Sequence, residues 1–247
     1  MNHFHPDIHW LTDYAAGNLP LSQALCISVH LSFCSQCQAE IEQLNSLGGL
    51  MLNKALSAEA ASSESFNTFA DDVQNAANQQ EQDSDVSAAT RLKVLDLINS
   101  DLSELAVPEA APANDSELPN CLDKLLPHGL DDLQWKKLST SLSVARLEAG
   151  DTQREVALHR IKAGGGVANH DHRGREVTVV LTGSFSDQEG LYLPGDFLVK
   201  ESGESHRPMA SEDSECVCLS VLEAPVKFTG PLTRMINPFL RIYPAAS

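Results

Sequence analysis

Long apolar runs and positive charge are both scarce in this chain, and each shortage narrows what it can do. Nowhere do eighteen apolar residues follow one another, so no membrane-crossing helix is expected. The opening Met1-Asn2-His3-Phe4-His5-Pro6 has no basic stretch leading into an apolar one, which argues against an export signal and for a cytoplasmic protein. Lys and Arg number 17 against 34 Asp and Glu, a formal net charge of −17. Direct binding to nucleic acid is therefore not expected, because phosphate contacts need clustered cations. A basic protein partner fits better, although acidic excess also serves solubility. The six cysteines, in a compartment that keeps thiols reduced, point to metal ligands or core thiols rather than a disulfide framework.

A length of 247 residues suits two domains, each with a core of its own. Helical patterns open the chain at residues 7–16, stopped by Gly17-Asn18, at 21 to about 33, and at 35–47, stopped by Gly48-Gly49. Their apolar positions (Ile8, Leu11, Tyr14; Leu25, Ile27, Val29; Ile41, Leu44, Leu47) are few, so the unit needs a staple or a partner. Residues 50–61 read as a fourth helix. Between Ala61 and Leu118 the composition turns to Ala, Ser, Gln, Asn and Pro, with twelve acidic against two basic residues, as in a solvated connector. An amphipathic helix is expected at 86–105, within it.

After Pro119 the apolar period changes to two, as in Ser141-Leu142-Ser143-Val144-Ala145-Arg146-Leu147 and Glu155-Val156-Ala157-Leu158-His159-Arg160-Ile161. Short strands separated by turn residues continue to about Leu222, the pattern of an antiparallel sandwich or barrel. The expected fold is thus α + β in two domains. The division is a helical domain at 1–60, or to about 105 if the later helix packs with it, a connector at 61–118 and a β-domain at 119–247.

His30, Cys34 and Cys37 form an H-x3-C-x2-C motif, which brings the three side chains to one face of continuous or nearly continuous helix. Zinc prefers four tetrahedral nitrogen and sulfur ligands in a closed structural site. The fourth comes from His3, His5 or His9; His5 is best placed, just before the first helix, and His9 is next. Such coordination would hold three marginal helices together, since in small metal domains binding energy is folding energy. Cys26 falls outside the spacing and reads as core.

Together with Leu11-Thr12-Asp13-Tyr14-Ala15-Ala16-Gly17-Asn18-Leu19, these residues resemble the zinc-binding anti-sigma domain, and most closely the ChrR family of cupin-bearing anti-sigma factors. The resemblance implies a partner, an extracytoplasmic-function (group IV) sigma factor, held by the N-terminal domain away from RNA polymerase. An acidic surface suits such a partner.

The β-domain carries a second motif. Gly164 to Glu176, followed by Gly183, matches the first cupin motif, G-x5-H-x-H-x3-E-x6-G, through His170, His172 and Glu176. Two histidines two apart on an extended segment point to the same side. Gly190-Leu191-Tyr192-Leu193-Pro194-Gly195-Asp196 resembles the turn of the second cupin motif, with His206 as its histidine after a gap of ten residues, longer than the usual form. Three imidazoles and one carboxylate suit zinc, iron, manganese or nickel. The resemblance implies a cupin jelly-roll barrel that responds to an oxidant or small ligand, leading to release of the sigma factor. A non-enzymatic role is expected; the alternative is a metal-dependent cupin enzyme, dioxygenase-like, with a regulatory N-terminal domain. Cys216 and Cys218, on one face of a strand, are either core thiols or redox-active. Glu204 is either a support for the metal site or part of an acidic loop, and Cys121 and His128 read as structural or surface residues.

Overall fold

The computed structural model describes residues 4–74, 118–231 and 233–244. The helix expected at 86–105 and most of the connector lie outside them. Two compact units are present, Met1–Asn45 with Ala113–Ser247, and Ser46–Pro112.

The first unit opens with α1 (Ile8–Ala15), whose first turn is capped by the Asp7 carboxylate accepting from the His9 and Trp10 amides. Gly17, at φ 70°, stops the helix as expected. Helix α2 (Leu21–Leu31) follows, then α3 (Ser35–Gln74). The break expected at Gly48-Gly49 is absent: α3 runs through both glycines and absorbs the separate fourth helix expected at 50–61. Two glycines cost a helix about 1 kcal/mol each, which lowers its stability without terminating it.

The β-region contains a six-stranded sheet in the order β1-β2-β3-β11-β5-β8, comprising β1 (Lys136–Lys137), β2 (Leu142–Arg146), β3 (Glu155–Ile161), β5 (Glu176–Thr182), β8 (Phe197–Lys200) and β11 (Cys216–Leu222). A three-stranded sheet joins β6 (Phe185–Ser186), β7 (Leu191–Tyr192) and β10 (Met209–Ala210), and another joins β4 (His170–Asp171), β9 (Ser205–His206) and β12 (Lys227–Phe228). All pairings between these strands are antiparallel.

The central strands β5 and β11 are buried on both faces, which explains why Cys216-Val217-Cys218-Leu219-Ser220-Val221-Leu222 lacks a polar side. Val217, Leu219 and Val221, with Val156, Leu158, Val177 and Val179, share one core with Leu11, Cys26, Ile27 and Val29 of the helices. The partner that the sparse helical face needed is therefore the outer face of the β-sheet. The opposite residues, among them Glu176, Thr178, Cys218, Ser220 and Leu222, line a cavity of about 430 Å³. A buried polar contact ties the layers together where Ser22 of α2 donates to Asp151 of the β2–β3 loop. Gly183, at φ +67°, has no room for a side chain, because a Cβ would stand 2.0 Å from the Glu215 carbonyl oxygen. Among the described residues no helix is long and apolar enough to cross a membrane.

Candidate metal centres

Among the described residues two clusters of metal-binding residue types form. The first joins His5, from the segment before α1, with His30 near the end of α2, Cys34 in the connecting turn and Cys37 in the first turn of α3; their ligand atoms lie within 4.8 Å of one another. His5 Nδ1 is 3.3 Å from Cys34 Sγ and 3.5 Å from Cys37 Sγ. His30 is buried, and its Nδ1 lies 2.6 Å from the Gly195 carbonyl oxygen. A carbonyl can only accept, so Nδ1 carries the proton and Nε2 keeps its lone pair for a ligand bond. Burial, then the neighbouring Cys34 thiol, pushes the Cys37 thiol up to about 12. A cation reverses that balance by stabilising thiolate. Two imidazoles and two thiols fit a closed tetrahedral ion. His9 stays exposed and outside the cluster, and His3 lies outside the described residues.

The second cluster joins His170, His172, Glu176 and His206, all buried, again with ligand atoms within 4.8 Å of one another. Strand pairing explains how distant residues meet. His170 of β4 stands directly opposite His206 of β9, and the long gap before His206 is spanned by β8 and the turn after it. Each imidazole is oriented through Nδ1: His170 donates to the Ala168 carbonyl oxygen at 2.9 Å, His172 to that of Glu204 at 2.7 Å, and His206 to Asp187 Oδ2 at 3.1 Å. Their Nε2 atoms are left facing inward. His172 Nε2 is 2.7 Å from Glu176 Oε2, and the Nε2 atoms of His170 and His206 are 3.1 Å apart. Burial lowers the His170 ring to about 4 against the pull of Glu176, so it is neutral near pH 7. Burial opposes the charge on Glu176, but the hydrogen bond and charge of His172 hold the carboxyl well below its ordinary range. Burial holds His170 and His206 neutral, with Nε2 lone pairs ready for a ligand bond. At His172 burial is outweighed by Glu176, which raises the ring, so a divalent metal would take the place of the proton that His172 shares with the carboxylate.

Residues 128–225 match the family described as ChrR Cupin-like domain. The Anti-sigma-E factor ChrR of Cereibacter sphaeroides is 29% identical over 232 residues, 94% of this chain and 95% of that protein. The chain is similar to ChrR along nearly its whole length. The structure is also similar to that in the crystal structure of Rhodobacter sphaeroides SigE in complex with the anti-sigma ChrR, with a TM-score of 0.60 and 25% identity, covering 89% of this chain and 98% of that one.

Cys26 is fully buried in the core and Cys121 is exposed. Cys216 and Cys218 are buried, with sulfurs 3.6 Å apart. The hydrogen bond with the Cys216 thiol, then burial, raises the Cys218 thiol well above its ordinary value, which leaves little thiolate near pH 7. Glu204 supports the second cluster through its backbone carbonyl, while its carboxylate accepts from the Glu201 amide. Asp187 was not visible from sequence. In Asp187-Gln188-Glu189-Gly190 it reads as a turn residue, and only the fold carries its carboxylate to His206.

Proposed function

We propose that the chain is an anti-sigma factor that sequesters an extracytoplasmic-function (group IV) sigma factor, with the His5, His30, Cys34 and Cys37 cluster holding zinc as a structural site. Residues 1–60 form the sigma-binding part, 61–118 the connector and 119–247 the cupin in this reading, and the protein works in the cytoplasm. The observation that carries it is the likeness to ChrR in its complex with SigE, which extends over both the helical and the β-region. Leu47, Leu50, Met51 and Leu52 on α3 are all half-exposed or more, and so much accessible apolar surface on one helix suits a protein partner. The formal charge of −17 complements a partner that must itself bind DNA.

His170, His172, Glu176 and His206 hold the second divalent metal, which supplies Lewis-acid or redox chemistry when bound. An oxidant or small ligand entering the adjoining cavity favours release of the sigma factor. Co-expression with the sigma factor encoded beside it, followed by pull-down of the metal-loaded chain, should recover a stable complex. Recovery of intact chain without the sigma factor would refute the proposal.

A second reading, a metal-dependent cupin enzyme, draws on the cavity of about 430 Å³ into which His170, Glu176 and His206 project. Turnover of a diketone or thiol by the iron-loaded chain would favour it.

A further inference from the structure

We propose that the hairpin at residues 187–197 couples the two clusters, so that metal binding at one strengthens metal binding at the other. The inference rests on the reading that both clusters bind metal, and it adds a linkage between them.

At one end of the hairpin, Asp187 orients His206. Its carboxylate is fully buried and is fixed by the Glu189 amide at 2.9 Å and the Tyr192 hydroxyl at 3.0 Å. Tyr192 packs its ring against Phe4 at 4.6 Å and Phe185 at 4.8 Å. Phe4 is the residue before His5, and its backbone is bonded to the hairpin in both directions: its amide donates to Asp196 Oδ1 at 3.1 Å, and its carbonyl accepts from the Phe197 amide at 2.9 Å.

At the other end, the Gly195 carbonyl accepts from His30 Nδ1, while the Gly195 amide donates to Val180 at 2.8 Å. Gly195 has φ +90°, and a Cβ there would meet Phe33 Cβ at 2.5 Å. Both imidazoles of the helical cluster are thus positioned from residues 195–197, and one imidazole of the cupin cluster from residue 187. Asp187, Tyr192 and Gly195 are positioning residues for metal ligands that lie far apart in sequence.

The sign follows from order. A ligand bond to His206 restrains Asp187 and Tyr192, and so restrains the surface on which Phe4 and His30 rest. An ion at the helical cluster then has less conformational freedom left to remove, which is positive cooperativity. Linkage makes the effect reciprocal.

The test is a chelator-competition titration of the full chain with cobalt(II), in which thiolate absorption reports the helical cluster separately from the cupin cluster. Removing the first cluster with the double substitution Cys34→Ser and Cys37→Ser should weaken cobalt binding at the cupin at least about five-fold. Tyr192→Phe keeps the ring against Phe4 but removes the hydroxyl from Asp187, and should bring that ratio towards one. Thr178→Val removes a donor to Glu176 away from the hairpin; it should weaken the cupin site without changing the ratio.

Because the cysteine variant could lose its fold, a second measurement uses the native sequence. Amide exchange at Phe4 and Phe197 should slow when the cupin metal is loaded onto chain whose helical cluster already holds zinc. A ratio within about two-fold of one, with exchange at Phe4 and Phe197 unchanged, overturns the proposal. A ratio that survives Tyr192→Phe places the coupling elsewhere and also overturns it. Failure of either cluster to take up cobalt removes the metal assignment, and the coupling with it. No sigma factor is in the assay, so failure of the partner reading leaves the outcome unaffected.

Discussion

Nε2 of His170 and Nε2 of His206 stand 3.1 Å apart while both Nδ1 atoms are committed to oxygen acceptors. Each ring thus directs a lone pair at the other, and a shared cation relieves the repulsion. Asp187→Asn keeps the shape of that support but removes its charge, and should weaken cupin metal binding by roughly 10–100-fold, as measured by chelator competition. Asp151 offers a pH test remote from either metal cluster. Burial opposes its charge, but hydrogen bonds from Ser22, the Gln153 amide and the Arg154 amide, together with the Arg154 charge, hold its carboxyl below the ordinary value. A depressed folded pKa means that the stabilisation is complete above the unfolded carboxylate value of about 3.9 and is lost as pH falls through the folded value. Asp151→Asn should therefore cost about 1.5–3 kcal/mol near pH 7, and the gap in denaturation midpoint from the native chain should close as pH falls below about 4. An equal gap at both pH values would mean that packing, not charge, holds α2 to the loop.

Among the elements, β11 carries the most weight, since its two faces serve different ends. Leu219 packs into the core shared with α1 and α2, whereas Cys218 faces the cavity. Leu219→Ala should cost about 2–5 kcal/mol and loosen the helices, seen as faster amide exchange at Ile27 and Val29. The bounds of β3 follow from its alternation, and those of α1 and α2 lie within two residues of the expected ones. Helix α3 departs from expectation because Gly48-Gly49 is only a local cost, one that a helix of 40 residues accommodates. The short strands β4 and β9 have no such legibility. Two residues each are too few to show a period, and their pairing is set by the rest of the barrel.

For the whole molecule, metal should appear as stability. Stripping both clusters with a strong chelator should lower the thermal midpoint and expose the helical segment to protease, because ligand binding to the native state alone adds to folding free energy. An unchanged midpoint would show that the shared core suffices without ions. Residue types and their spacing alone singled out six of the eight candidate ligands: His30, Cys34 and Cys37 by H-x3-C-x2-C, and His170, His172 and Glu176 by H-x-H-x3-E. Only the tertiary structure decided that the helices rest on the β-sheet, that His5 rather than His9 closes the first cluster, and that Asp187 stands behind His206. Those facts depend on contacts between residues far apart in the chain. No local period encodes such contacts, because burial of apolar surface favours contact without naming the partner.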